Sequence, residues 1–185
     1  MVLFRSIKHS TWITCIGGFK EARIGDVDVF LSDLDDLIRP YPFQVFNANR
    51  VAGWEHLYHA AINAIKAHQT GSMISNSISI EVILYASCQD QIFKAFRIMG
   101  IRPGLDRVAL VIFASNRDEA LDAYRMAELR IGARDDSVMK ITDRKFEELV
   151  RVFGVTEEEL VSLNDVRRES LRDIIIEKGA LLATL

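Results

Sequence analysis

The chain has 185 residues, 49% of them hydrophobic and 26% charged, with a net charge of −3. That is enough for one sizeable core, so a single domain over 1–185 is expected. The charge excludes a strongly basic nucleic-acid binder, and no apolar run approaches the length that spans a bilayer. Met1-Val2-Leu3-Phe4-Arg5 is no signal peptide, so a cytoplasmic chain without membrane contact is expected. Cys15 and Cys88 stand far apart without a motif around either, which suits small core residues of a reduced protein.

In chain order, Thr11 to Ile16 is β-branched and aromatic and predicts a strand, closed by a turn at Gly17-Gly18. Asp26 to Arg39 carries Phe30, Leu31, Leu34, Leu37 and Ile38 at helical spacing and stops before Pro40. Residues 42–48 predict a second short strand. Gly53 to Gln69 is a helix with Trp54, Leu57, Tyr58, Ala61, Ile62 and Ile65 on one side, ended by Gly71. Its opposite stripe, His56, His59, Asn63 and Lys66, reads as solvated.

Residues 74–92, ISNSISIEVILYASCQDQI, begin with the alternation of a half-buried strand and then turn continuously apolar. At 100° per residue, Ile78, Ile80, Val82, Ile83, Leu84, Tyr85 and Ala86 wrap most of a circle, with Ser77, Glu81 and Cys88 in one polar sector. This predicts a buried helix over 76–87, with Ser75 and Asn76 as suitable N-caps and a partner required for Glu81.

Gln89 to Met99 follows as a helix with Ile92, Phe93, Phe96 and Met99 on its apolar face and Gly100 as C-cap. Arg107 to Ala114 reads as a fully buried strand, and Asn116 with Glu119 as a capping box opening another helix. Further helices are expected over 142–153, from the Thr156–Glu159 capping box, and from about Asn164. Strands scattered among helices without βαβ spacing make the fold class α+β, a small, mainly antiparallel sheet packed with several helices.

Charge is uneven. Residues 50–114 hold six Lys/Arg against four Asp/Glu and three of the four histidines, so an anionic partner would meet this stretch. Catalytic motifs are missing: Gly17-Gly18 lacks the pattern of a phosphate loop, and there is no nucleophile elbow or paired-cysteine metal motif. His56 and His59 at i, i+3 would need further donors to bind a metal. The chain is therefore read as no enzyme, with no cofactor and no metal.

In the central third, Glu55-His56-Leu57 with Ala60-Ala61, then Ser75-Asn76-Ser77, Ile80-Glu81, Leu84-Tyr85-Ala86-Ser87, Gln91-Ile92 and Gly100-Ile101 occur in a specific order and spacing. In these residues the chain resembles the PRPK-binding-protein family of archaeal type, the kinase-binding subunit of the KEOPS tRNA-modification complex. The likeness is strongest over 47–101 and extends over roughly 10–178. It implies an α+β protein without catalysis that binds and stimulates the small atypical kinase/ATPase of KEOPS. It also implies that the protein holds the single-stranded 3′ end of tRNA, in support of N6-threonylcarbamoyladenosine formation. Where archaeal relatives carry Gly and basic residues, this chain has Cys88-Gln89-Asp90, which implies weaker RNA contact.

On this reading the RNA-binding candidates are Lys66, Lys94, Arg97 and Arg102, with Asn76 and Ser77 as hydrogen-bond donors. The kinase-binding candidates are Ile78 and Val82, on the side of their helix opposite Ser77 and Glu81. A homodimer is possible for the subunit in isolation. Two other classes are a stand-alone RNA-binding module without a kinase partner, and a small enzyme using His56, His59 or Glu81.

Overall fold

The computed structural model describes residues 3–6, 12–162 and 167–184. In chain order the elements are β1 (Leu3–Ser6), β2 (Ile13–Lys20), α1 (Val27–Ile38), β3 (Phe43–Asn47), α2 (Trp54–Thr70), α3 (Ile78–Ser87) and α4 (Ile92–Met99). They continue with β4 (Arg107–Ala114), α5 (Arg117–Ile131), β5 (Ala133–Arg134), α6 (Asp143–Phe153), α7 (Glu157–Ser162) and α8 (Arg167–Ala180). The fold is α+β, as expected. By contact the chain divides into two compact units, Met1–Asn49 with Gly100–Val138, and Arg50–Met99 with Met139–Leu185.

The first unit is built on an antiparallel sheet in the order β1-β2-β4-β3, with β5 paired to the end of β2. Strand β4 matches its prediction over 107–114. Its side chains are buried from Val108 onward on both faces, as a continuous apolar run in a central strand requires. One face carries Val108, Leu110, Ile112 and Ala114 into a core completed by Phe30, Leu34 and Ile38 of α1 and by Ala120, Ala123, Tyr124 and Ala127 of α5. Arg130 of α5 joins the two helices, lying 4.6 Å from the Phe30 ring centroid and 2.9 Å from the Asp33 carboxylate. Capping sets the helix starts: Asp26 accepts the Val29 N–H and Asn116 accepts the Glu119 N–H.

The predicted turn at Gly17-Gly18 does not form. Strand β2 runs straight through both glycines, which pair with Leu110 and Ala109 of β4. Glycine is needed here for room. A Cβ on Gly17 would run into the ring and hydroxyl of Tyr124, which stacks on Phe19 with centroids 5.3 Å apart. Gly17→Ala is expected to destabilise the protein by about 2 kcal/mol, read as a lower urea midpoint at unchanged slope. An unchanged midpoint would mean that Tyr124 turns aside freely. Thr11, part of the predicted strand, lies outside the described residues.

The second unit is helical. Helix α2 ends where Gly71 takes the left-handed conformation at φ +69°, which side chains with a Cβ rarely adopt. Helix α3 sits against α2, α4 and α8, and nearly every residue from Ile78 to Ser87 is buried except Ser79 and Ile80. A helix apolar all round has no face to spare for water, and three neighbouring helices satisfy it. Where α8 passes the end of α3, a Cβ on Gly179 would stand 2.5 Å from the Tyr85 carbonyl oxygen. Thr156 and Glu159 form the reciprocal capping box at the start of α7, at 2.7 and 3.2 Å. The predicted start of the last helix, Asn164, lies outside the described residues.

Candidate functional site

The signature helix α3 opens differently from the prediction. Ser77 is the N-cap residue by backbone geometry, with φ −142°, but its side chain makes no capping bond. Neither Ser75 nor Asn76 caps the helix. No side chain caps α3; Glu81 of its first turn, fully buried, instead reaches back with its carboxylate to hold the loop before the helix. It accepts the N–H of Ile74 at 3.1 Å, the N–H of Ser75 at 2.8 Å and the hydroxyl of Ser75 at 2.7 Å. The partner that a buried carboxylate requires is thus a set of hydrogen-bond donors. This leaves Asn76 exposed and Ser77 half-buried on a fixed loop.

His56 does not belong to the solvated stripe. It is buried: Nδ1 accepts the Ala52 N–H at 3.1 Å and Nε2 donates to the Ala86 carbonyl at 2.8 Å. Both ring nitrogens are committed to backbone, so His56 ties α2 to the end of α3 and has no lone pair left for a metal. Burial pulls its pKa from 6.5 down to about 4, despite the opposing bond to Ala86. His59 and Lys66 of the predicted stripe are exposed, and Asn63 is half-buried. Among the described residues no group of three or more His, Cys, Asp or Glu could hold a metal ion, and no helix is long and apolar enough to cross a membrane.

The cysteines divide. Cys15 is a core residue, and burial raises its thiol pKa. Cys88 is half-buried and takes a left-handed φ of +56° at the end of α3, a position that favours glycine. Its S–H donates to the Ile175 carbonyl at 3.4 Å, and burial pushes its pKa up to about 12. Neither is an activated thiol.

The kinase-binding candidates require correction. Ile78 is 6% exposed and Val82 0%, so both are packing residues of the second unit and neither presents a surface to a partner. The side of α3 opposite Glu81 is covered by neighbouring helices. A carboxylate at either position would have to be desolvated, so Ile78→Glu would test the fold and not an interface.

Exposed apolar surface lies elsewhere. On α4 the predicted core face is only partly used: Ala95 and Met99 are buried, whereas Ile92 is 43%, Phe96 38% and Phe93 74% exposed. Drawn at 100° per residue, Phe93 falls outside the arc that holds Ile92, Ala95, Phe96 and Met99. That width was the sequence signal that Phe93 is not core. In the first unit Val29 of α1 and Met126 and Leu129 of α5 are exposed.

The basic candidates Lys66, Lys94, Arg97 and Arg102 are all exposed. None of them has an ion-pair partner among the described residues. Lys94 and Arg97 share α4, and Lys66 lies on α2 of the same unit. Arg102 belongs to the other unit. No Asp or Glu occurs from Gln91 to Leu105. The arrangement offers exposed apolar side chains and unpaired cations, which suits binding of an anionic partner.

Residues 31–182 match the family model described as Kinase binding protein CGI-121. The chain is also similar to the Regulatory protein Cgi121 of Methanocaldococcus jannaschii, at 38% identity over 109 residues, which cover 59% of this chain and 67% of that relative.

Proposed function

Since this chain belongs to the kinase binding protein CGI-121 family, we propose that it is a regulatory subunit without catalysis of its own in the KEOPS complex. In this role it docks the small atypical kinase/ATPase, stimulates it, and helps recruit tRNA through the single-stranded 3′ end for N6-threonylcarbamoyladenosine formation. The observation that carries the reading is the family match across most of the chain. The exposed apolar residues of α4 and α5 support it, because stable protein interfaces are built on apolar centres that lose water on binding. The unpaired cations of α2 and α4 support the RNA part, since phosphate contacts need positive charge but not a basic protein overall.

The purified chain is expected to turn over no ATP, to form a complex with the purified atypical kinase on a sizing column, and to raise that kinase's ATP turnover. Ile92→Glu on α4 and Leu129→Glu on α5, both at exposed positions, ask which unit carries the contact, and one of them should abolish the complex. Intact tRNA should bind more tightly than tRNA lacking its terminal nucleotides. No complex with the kinase, or robust ATP turnover by the chain alone, would overturn the regulatory reading. Equal affinity for the two tRNAs would remove the 3′-end part. Tight tRNA binding with no kinase complex would favour the stand-alone RNA module.

A further inference from the structure

We propose that Phe93 is a stacking platform for an unpaired base of single-stranded RNA, with Arg97 and Lys94 meeting the adjoining phosphates. The proposal rests on the reading that this protein binds tRNA through its unpaired end, and it names the side chain that touches the base.

A phenylalanine 74% exposed gives up most of the stabilisation that burial would bring, and it does so beside a core that accepts Ala95 and Met99 of the same helix. The Arg97 guanidinium lies 6.0 Å from the Phe93 ring centroid, one helical turn on, and Lys94 is the next residue. Aromatic and cations therefore interleave at i, i+1 and i+4, both cations lack an ion pair among the described residues, and α4 contains no acidic residue. Lysine is normally depleted at a protein-docking centre, so Lys94 sets the Phe93 edge of α4 apart from its Ile92 and Phe96 side. A protruding ring with two free cations on one side of it fits a ligand with flat apolar faces strung on an anionic backbone, which is single-stranded nucleic acid. Positions Gln89 and Asp90, just before α4, bring no positive charge, so stacking has to supply what electrostatics there does not.

The test is fluorescence anisotropy with the full chain, a labelled short single-stranded RNA, the same RNA as a duplex, and intact tRNA. Phe93→Ala and Phe93→Leu should weaken single-strand and tRNA binding by about tenfold or more, whereas Phe93→Trp should keep it. Lys94→Gln and Arg97→Gln should each lower the salt slope by about 0.7. Phe93 is exposed, so the variants should melt with the wild type. Wild-type protein that binds tRNA while Phe93→Ala and Phe93→Leu bind it equally well overturns this proposal and leaves the tRNA reading standing. Loss of the kinase complex on Phe93→Ala with RNA affinity unchanged assigns the ring to the protein partner and also overturns it. If wild-type protein binds no tRNA, the tRNA reading fails, and this proposal with it.

Discussion

Acidification from pH 6.5 to about 4 should cost the fold about 3 kcal/mol through one side chain, His56. In the folded protein burial holds this imidazole neutral, with Lys145 and His59 adding unfavourable positive charge. The hydrogen bonds show why a second proton is so poorly accepted. Nδ1 is the acceptor of the Ala52 N–H, so protonation there would set two donors against each other, with the Phe153 ring edge-on 5.7 Å away. The unfolded chain takes up this proton near pH 6.5 and the folded one near 4, so the unfolded state binds more protons between those values. Stability from this source is fully present above 6.5 and falls as the pH drops through the window, with no further loss below about 4. His56→Gln keeps a donor and an acceptor but cannot titrate. Urea unfolding across the window should show the wild type losing about 3 kcal/mol more than the variant, after the variant's own lower starting stability is subtracted. Parallel profiles would show that His56 takes up its proton in the folded state as readily as in the unfolded one.

His56 also shows where sequence reading stops. It stands three residues from His59 on one helix, and the pattern alone makes the two equivalent. They part because the carbonyl of Ala86, thirty residues away, arrives beside one and not the other. The same holds for Gly17-Gly18: glycine pairs commonly mark turns, but here they make room for Tyr124, which lies far along the chain. By contrast, α3, α2 and β4 were legible because their signals are local. Apolar residues around most of a helix, a glycine free to turn left-handed at Gly71, and an unbroken apolar run each dictate an outcome before any partner is known. The basic candidates were legible as exposed cations. Phe93 was placed on one face with Ile92, Phe96 and Met99 because a three-residue step along a short helix was taken as one face, when the ring lies 100° from Ile92. Ile78 and Val82 failed as surface candidates for a related reason: on a helix apolar all round, the sequence holds no sign of which side lacks a neighbour.

Glu81→Ala should be the most damaging single substitution proposed for this chain, at about 4 kcal/mol of stability. The carboxylate takes three hydrogen bonds where no water reaches it, from the N–H groups of Ile74 and Ser75 and from the Ser75 hydroxyl. Removing it leaves the buried Ser75 N–H and the part-buried Ile74 N–H without this acceptor, and a buried orphan carries a desolvation penalty of roughly 1–3 kcal/mol. It also leaves a void at the foot of the central helix of its unit. Graded variants separate this account from a simple volume effect. Glu81→Gln keeps one oxygen for the two Ser75 donors but turns an amide N–H toward the Ile74 N–H, so about half the loss is expected. Ser75→Ala removes the hydroxyl that bonds Glu81 at 2.7 Å and the Ser77 carbonyl at 2.9 Å but strands no backbone donor, and should cost about 1 kcal/mol. The order Ala worse than Gln at position 81, and both worse than Ser75→Ala, follows from counting unsatisfied donors. Near-equal losses for Gln and Ala would show that packing, not hydrogen bonding, sets the cost. On the proposed reading that this loop meets tRNA through Asn76, Glu81→Gln should weaken tRNA binding more than it lowers the affinity for the kinase. Equal weakening of both would mean that the loop has no separate part in holding RNA.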